Sequence, residues 1–189
     1  LSIVGGSKVS TKLNVIKNLI SNSSKVLVGG GIANTFLKAA GYEVGISLVE
    51  DEMIDISRKL LDTNKIILPK NVYVANSTQD NSAELVPVQE VNKNKMILDI
   101  ELSEEVRSIS NHKYIIWNGP LGIFEIEQFS NGTKQLINFL ENSSSKVIAG
   151  GGETIYAISK FSDIKKFNYV STAGGAFLEY LSGYKLPSI

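Results

Sequence analysis

The sequence predicts an α/β fold, a three-layer αβα arrangement around a mostly parallel sheet of about six strands. Three observations predict it. Short apolar runs of strand length alternate with segments whose apolar residues recur at steps of three and four. Such alternation builds a parallel sheet with helices on both faces. Ten of the 16 glycines fall in four clusters, at 5–6, 29–31, 150–152 and 174–175, each at or near the end of an apolar run. Right-handed crossovers bring all four clusters to the carboxyl edge of the sheet, where ligands sit in Rossmann-like folds. The 189 residues are 43% hydrophobic and 20% charged, enough for one domain with a sizeable core and too apolar for disorder.

The elements follow in order. Leu1–Val4 is a strand, Gly5-Gly6-Ser7-Lys8 a turn, and Val9, Leu13, Ile16 and Ile20 form one helix face. Val26–Val28 is a second strand, Gly29-Gly30-Gly31 a second turn, and Ile32, Phe36, Leu37 and Ala40 a second helix face. Gly41 suits the position just past that helix. Glu50-Asp51-Glu52 begins a third helix, running to about Leu61, where acids suit the N-terminal dipole. Strands follow at 66–68 and 72–75. Residues 76 to about 95 are polar and weakly periodic, an irregular or hairpin excursion that 96–100 ends. A helix covers about 103–110 and a buried strand 114–117. The loop Asn118-Gly119-Pro120-Leu121-Gly122 leads on, and Leu136, Ile137 and Leu140 line the next helix. A strand ends at Gly150-Gly151-Gly152, and Glu153 and Thr154 open a helix through Phe161. The last strand is Phe167–Val170, and Phe177, Leu178 and Leu181 mark the last helix, with Pro187 breaking what remains. A chain that opens inside a core strand reads as a piece of something longer.

Several function classes drop out. Lys+Arg and Asp+Glu both number 19, so there is no basic bias toward nucleic acid or an anionic membrane. There is no cysteine, which excludes disulfides, thiolate metal sites and a cysteine nucleophile, and fits a reducing compartment. No apolar run approaches the roughly 20 residues of a membrane span, and no signal-peptide pattern stands at the start. No Walker A motif, dinucleotide fingerprint or serine elbow is present. His112, the single histidine, lies in a polar loop and reads as a surface residue.

What remains is a glycine-lined edge with a few polar groups. Lys8 and Lys12, at i and i+4, share one side of the first helical turns. They suit either contact with a phosphate or plain solvation. Glu153 and Thr154 suit either a helix cap or the holding of Mg²⁺ and a phosphate oxygen. Glu125 suits a ribose hydroxyl or an exposed acid; Glu101 and Asp99 are weaker candidates. Phosphoryl transfer fits this inventory, because it needs backbone amides, a cation and good positioning rather than a protein nucleophile.

Five motifs then carry a resemblance. Gly5-Gly6-Ser7-Lys8-Val9-Ser10-Thr11-Lys12 resembles the start of the C-terminal domain of phosphoglycerate kinases. Gly29–Phe36 resembles that family's adenine-side loop, and Trp117–Glu125 its most distinctive motif. Gly150–Thr154 and Ser171–Ala176 complete the family order, in wording that looks bacterial. The resemblance implies the nucleotide-binding C-terminal domain, residues 1–189, of a two-domain glycolytic kinase whose N-terminal domain is absent. It implies reversible phosphoryl transfer between 1,3-bisphosphoglycerate and ADP with Mg²⁺, a cytoplasmic monomer, and no activity for this half alone. Lys12 and Lys8 match phosphate-region lysines, with Lys12 also meeting the transferring group. Gly151, Gly152, Glu153 and Thr154 match the phosphate and metal segment, with Glu153 as metal ligand. Gly174 and Gly175 match the helix terminus that supports the transferred phosphoryl, so that Gly152 and Gly175 join the lysines in catalysis. Gly30, Gly31 and Leu48 match the adenine walls, with Asn118, Leu121 and Ile123 nearby, and Glu125 the ribose contact.

Three departures stand out. Glu153 replaces an aspartate, Glu101 replaces a glycine beside the nucleotide, and Ala173 replaces another glycine. Glutamate is a methylene longer, and Mg²⁺ holds its ligands at about 2.0–2.1 Å. The alternative reading is therefore a nucleotide-binding module impaired at Glu153 and Glu101. A dehydrogenase of the same architecture is a third reading, without its fingerprint.

Overall fold

The computed structural model describes residues 1–108 and 112–184. The first apolar run is β1 (Ser2–Val4), and the helical spacing after it is α1 (Val9–Asn22), which buries Val9, Val15, Ile16, Leu19 and Ile20. The pattern repeats in β2 (Val26–Val28) and α2 (Gly30–Ala39), with Gly41 at φ +92° just beyond the helix end. α3 (Ile54–Leu61) starts later than the acidic run suggested. Asp51–Met53 is a 3-10 turn, and Glu50 stands outside both, its carboxylate accepting from the Ser10 amide at 3.0 Å. This acid serves the N-terminus of α1 rather than that of its own helix.

β3 (Ile66–Ile67) and β4 (Asn71–Ala75) follow, then β5 (Glu84–Pro87) and β6 (Met96–Ile100). α4 (Glu104–Ser108) matches the helix expected at about 103–110; positions 109 and 110 lie outside the described residues, as does Pro187. β7 (Tyr114–Asn118), α5 (Asn131–Glu141), β8 (Lys146–Gly150) and α6 (Gly152–Phe161) come next. β9 (Tyr169–Ser171) and α7 (Gly174–Leu181) complete the order. β9 begins two residues after the expected start, because Phe167 closes a 3-10 turn on Ile164 and packs against Trp117.

Six strands form one wholly parallel sheet in the order β3-β2-β1-β7-β8-β9. Alternate strand residues feed opposite cores, as a two-sided sheet requires. Ile3, Leu27, Trp117 and Ala149 face α5, α6 and the second sheet; Val4, Val28 and the partly buried Ile148 face α1, α2 and α7. Trp117 and Phe36 are fully buried, one in each layer, and side chains of this size contribute about 1.5–3 kcal/mol each on burial.

β4 does not join the parallel sheet. It pairs antiparallel with β5 and β6 in a second sheet of three strands, so the polar excursion after residue 75 is a hairpin arm. Val72, Val74, Ile97 and Ile100 give this sheet one buried face, while β5 is largely exposed. Among the described residues no helix is long and apolar enough to cross a membrane.

Candidate functional site

The strand order runs outward from β1 to β3 and then returns to β7 on the other side of β1. The winding reverses between β1 and β7, and chains diverging there leave a crevice beyond the strand ends. A cleft of about 370 Å³ lies at that point. Gly6 and Ser7 border it after β1, and Pro120, Leu121, Gly122 and Ile123 after β7. Gly30, Gly31 and Asn34 of α2, Leu48, Thr78, Met96–Ile100, Glu125 and Glu153 complete it.

The loop after β7 is held by partners from across the chain. Gly119 N–H donates to Thr154 Oγ1 at 2.7 Å and Leu121 N–H to Thr133 Oγ1 at 3.1 Å. Ile123 N–H donates to Leu98 O at 3.0 Å, and Leu121 O accepts from Gly30 N–H at 2.7 Å. The Trp117 indole N–H donates to Gly119 O at 2.8 Å. With its polar groups satisfied this way, the loop forms a fixed wall.

The glycine clusters do meet at this edge, but most of them serve chain-to-chain packing. An added Cβ would fall 1.8 Å from Pro120 O at Gly5, 2.6 Å from Gly6 O at Gly30 and 2.3 Å from Ser7 O at Gly31. At Gly150 it would strike the Phe177 ring at 2.5 Å. Gly152 and Gly175 differ: a Cβ at either would meet nothing within 4 Å. Their backbone amides open α6 and α7, two neighbouring helix N-termini, and a Cβ on Gly174 would lie 3.9 Å from Gly152 N. Packing does not require glycine there, and helix N-terminal amides with no Cβ beside them suit an anion.

Lys12 is half-buried, its Nζ donating to Gly5 O at 2.7 Å beside Gly6 and Gly119. Burial pulls its pKa down to about 8, with the Glu153 charge opposing. Lys8 is different: exposed, at the start of α1, where its charge helps hold the Glu50 carboxyl acidic. Glu153 is exposed at the first turn of α6 and lines the cleft. Thr154 is fully buried, and its hydroxyl oxygen serves the Gly119 amide, so its side chain builds the loop. Asn118 is also buried, its Nδ2 donating to Gly150 O at 2.7 Å and leaving Oδ1 without a partner among the described residues.

Leu48 is exposed at the rim, and Leu121, Ile123 and Glu125 line the same space. Gly151, Gly174 and Gly175 sit outside the lining, at the adjoining helix ends. Glu101 does not line the cleft: it points along the second sheet and accepts from Asn71 Nδ2 at 2.7 Å. Asp99, two residues earlier in β6, does line the cleft; it is 1% exposed, and burial pushes its pKa up to about 7 against hydrogen bonds from Gly132, Ile100 and Asn131. His112 is half-buried far from this edge, near Ser24 and the chain's amino group. Sequence reasoning missed Asn34, a buried lining residue whose Oδ1 has no partner among the described residues. The available signal was an amide inside a helix stretch that is buried all round, from Ile32 to Leu37. It also missed Thr133 and Met96, which carry no motif.

Among the described residues no group of three or more histidines or acids is placed to hold a metal. A single carboxylate at a helix terminus fits Mg²⁺, which keeps several waters and binds mainly through substrate phosphates.

The fold and the cleft define an α/β domain with an open cleft at the carboxyl edge of a parallel sheet. The family model for phosphoglycerate kinase matches residues 1–184. The chain is 46% identical over 200 residues to the phosphoglycerate kinase of Aquifex aeolicus strain VF5, covering all of this chain and 50% of that protein. It is 44% identical over 203 residues to that of Psychrobacter sp. strain PRwf-1, again covering all of this chain and 50% of the relative. The solved structure of phosphoglycerate kinase from Coxiella burnetii superposes with a TM-score of 0.90 at 41% identity, over 97% of this chain and 50% of that one. The enzyme from Pyrococcus horikoshii OT3 gives a TM-score of 0.84 at 28% identity, over 98% and 49%. The chain belongs to the phosphoglycerate kinase family, and it spans about half the length of these relatives.

Proposed function

We propose that residues 1–189 are the nucleotide-binding, C-terminal half of a phosphoglycerate kinase. The observation that carries this reading is the apolar-walled cleft at the β1–β7 reversal, with Lys12 beside its Gly6 border and two open helix N-termini adjoining it outside the lining. The base of ADP or ATP lies against Gly30, Gly31 and Leu48, and the ribose beside Glu125. The phosphates reach Lys12 and the amides of Gly151, Gly152, Gly174 and Gly175. Glu153 holds Mg²⁺, which when bound spreads the phosphate charge. Lys8 guides incoming phosphates from the exposed start of α1.

In the forward direction the acyl phosphate of 1,3-bisphosphoglycerate gives its phosphoryl to the terminal oxygen of ADP, leaving 3-phosphoglycerate as a carboxylate and forming ATP. This half positions the nucleotide, and the phosphoglycerate is held by residues beyond these 189. The chain alone is therefore inactive, and it works as a monomer in the cytoplasm. The competing reading, an impaired nucleotide-binding module, rests on Glu153 alone, because Glu101 bonds to Asn71.

Calorimetric titration of this chain with ADP, with and without Mg²⁺, tests the reading. Saturable binding that strengthens with Mg²⁺ and is lost in Lys12→Ala supports it; a folded chain that binds no ADP overturns it. Tighter Mg-ADP binding in Glu153→Asp than in the parent supports the impaired reading.

A further inference from the structure

Asp99 is a buried carboxylate with no described lysine, arginine or histidine against it. An isolated buried charge is costly unless something strong compensates it. Here backbone N–H groups do so. Oδ1 accepts from Ile100 N at 2.9 Å and Oδ2 from Gly132 N at 2.8 Å, at the first turn of α5. The contact is close enough to dictate two neighbouring residues. An added Cβ at Gly122 would lie 2.2 Å from Oδ1, and one at Gly132 would lie 2.6 Å from it. Gly122 stands between Leu121 and Ile123, two walls of the cleft.

Resting on the nucleotide reading above, we propose that Asp99 is a positioning residue for the nucleoside end of the cleft. Its ionised carboxylate pins the first turn of α5 and sets how closely the Gly119–Ile123 loop approaches the ligand.

The groups on both its oxygens are donors, so the ionised form suits the geometry. A proton there would set an O–H against N–H groups that need acceptors. Burial favours that proton, and the two opposing demands leave the group poised near neutrality. The surrounding titratable groups add no positive charge. Tyr73 faces it from β4 in register, with Glu101 at the end of β6 and Glu125 and Glu153 across the cleft. Lys134 of α5 is turned to Glu127. Acidification through neutrality therefore loosens the loop.

Adenosine is the probe, because it carries no phosphate to titrate or to engage Lys12. Titration of the 189-residue chain followed by NMR should give a Kd that rises about tenfold from about pH 8 to about pH 6, as the ionised fraction falls. Asp99→Asn should bind adenosine more weakly at about pH 8 and show no pH dependence. A flat profile in the unaltered chain, or wild-type affinity in Asp99→Asn, overturns the inference. If Asp99→Asn does not fold, the profile of the unaltered chain decides alone. ADP binding without adenosine binding at any pH overturns it too, while failure of both ligands overturns the nucleotide reading itself and this inference with it.

Discussion

Thr154 Oγ1 lies 2.7 Å from the amide nitrogen of Gly119, 35 residues earlier in the chain, and both groups are buried. The bond ties the first turn of α6 to the loop after β7. Thr154→Val keeps the shape and leaves the amide unpaired. It should cost about 1–3 kcal/mol of stability and weaken ADP binding, while Thr154→Ser preserves both. Chemical denaturation and calorimetry on the two variants check this.

Lys12 titrates near pH 8 in the folded chain, because burial disfavours its charge. ADP affinity should fall as pH rises through that value. Lys12→Ala should reduce affinity by about tenfold or more, as expected for losing a charge-assisted contact of about 1.5–3 kcal/mol, and should remove the alkaline fall. The sign for stability is opposite. A lysine with a depressed folded pKa is destabilising when charged, so the chain should gain stability as pH rises from about 8 toward the ordinary lysine value. A pH series of binding and melting on both proteins separates the two effects.

Two glycine substitutions should behave differently. Gly31→Ala drives a Cβ to 2.3 Å from Ser7 O and should lower the melting temperature and ADP affinity together. Gly152→Ala meets nothing within 4 Å and stands at the start of a helix, so melting should be unchanged or slightly higher. Its ADP affinity should still drop, by about tenfold, if the exposed amides hold phosphate. Thermal melts beside calorimetry decide it.

Glu50 is 8% exposed and accepts from the Ser10 amide and hydroxyl. Burial pushes its pKa up, but the Ser10 and Val9 hydrogen bonds and the Lys8 charge outweigh it and hold the carboxyl below its ordinary value. The resulting stability is present above the ordinary glutamate pKa of 4.5 and is lost as pH falls through the folded value. Glu50→Gln should cost about 1–2 kcal/mol at neutral pH and flatten the acid limb of a melting-against-pH curve.

The parallel sheet was legible because β1, β2, β7 and β8 are apolar runs that end in glycine or asparagine–glycine; the strand order and its reversal at β1 were not, because neighbours in the sheet are set by long-range pairing. The second sheet was not, because β4 looks in sequence like another buried strand, and only its antiparallel partners reveal where it goes. Glu50 looked like the start of α3 for the same reason: its partner Ser10 is 40 residues away. At the site, the loop residues Leu121 and Ile123 were readable from motif, and both line the cleft. Glu101 and Asp99 were not separable, since two positions of a strand two residues apart share a face, and only the structure shows that Asp99 lies inside β6 while Glu101 falls past its end, bonded to Asn71.

The loop after β7 draws on residues 30, 98, 133 and 154, which lie in four separate stretches of the chain. No contiguous fragment contains the cleft, so its assembly depends on long-range pairing and belongs to the cooperative transition of the whole domain. Opening the cleft locally would break bonds to several elements at once, which places it among the slowest-exchanging amides rather than the fraying ones. A ligand bound there acts as a brace for the entire chain, worth about 2.7 kcal/mol of global stability at a hundredfold excess over its Kd.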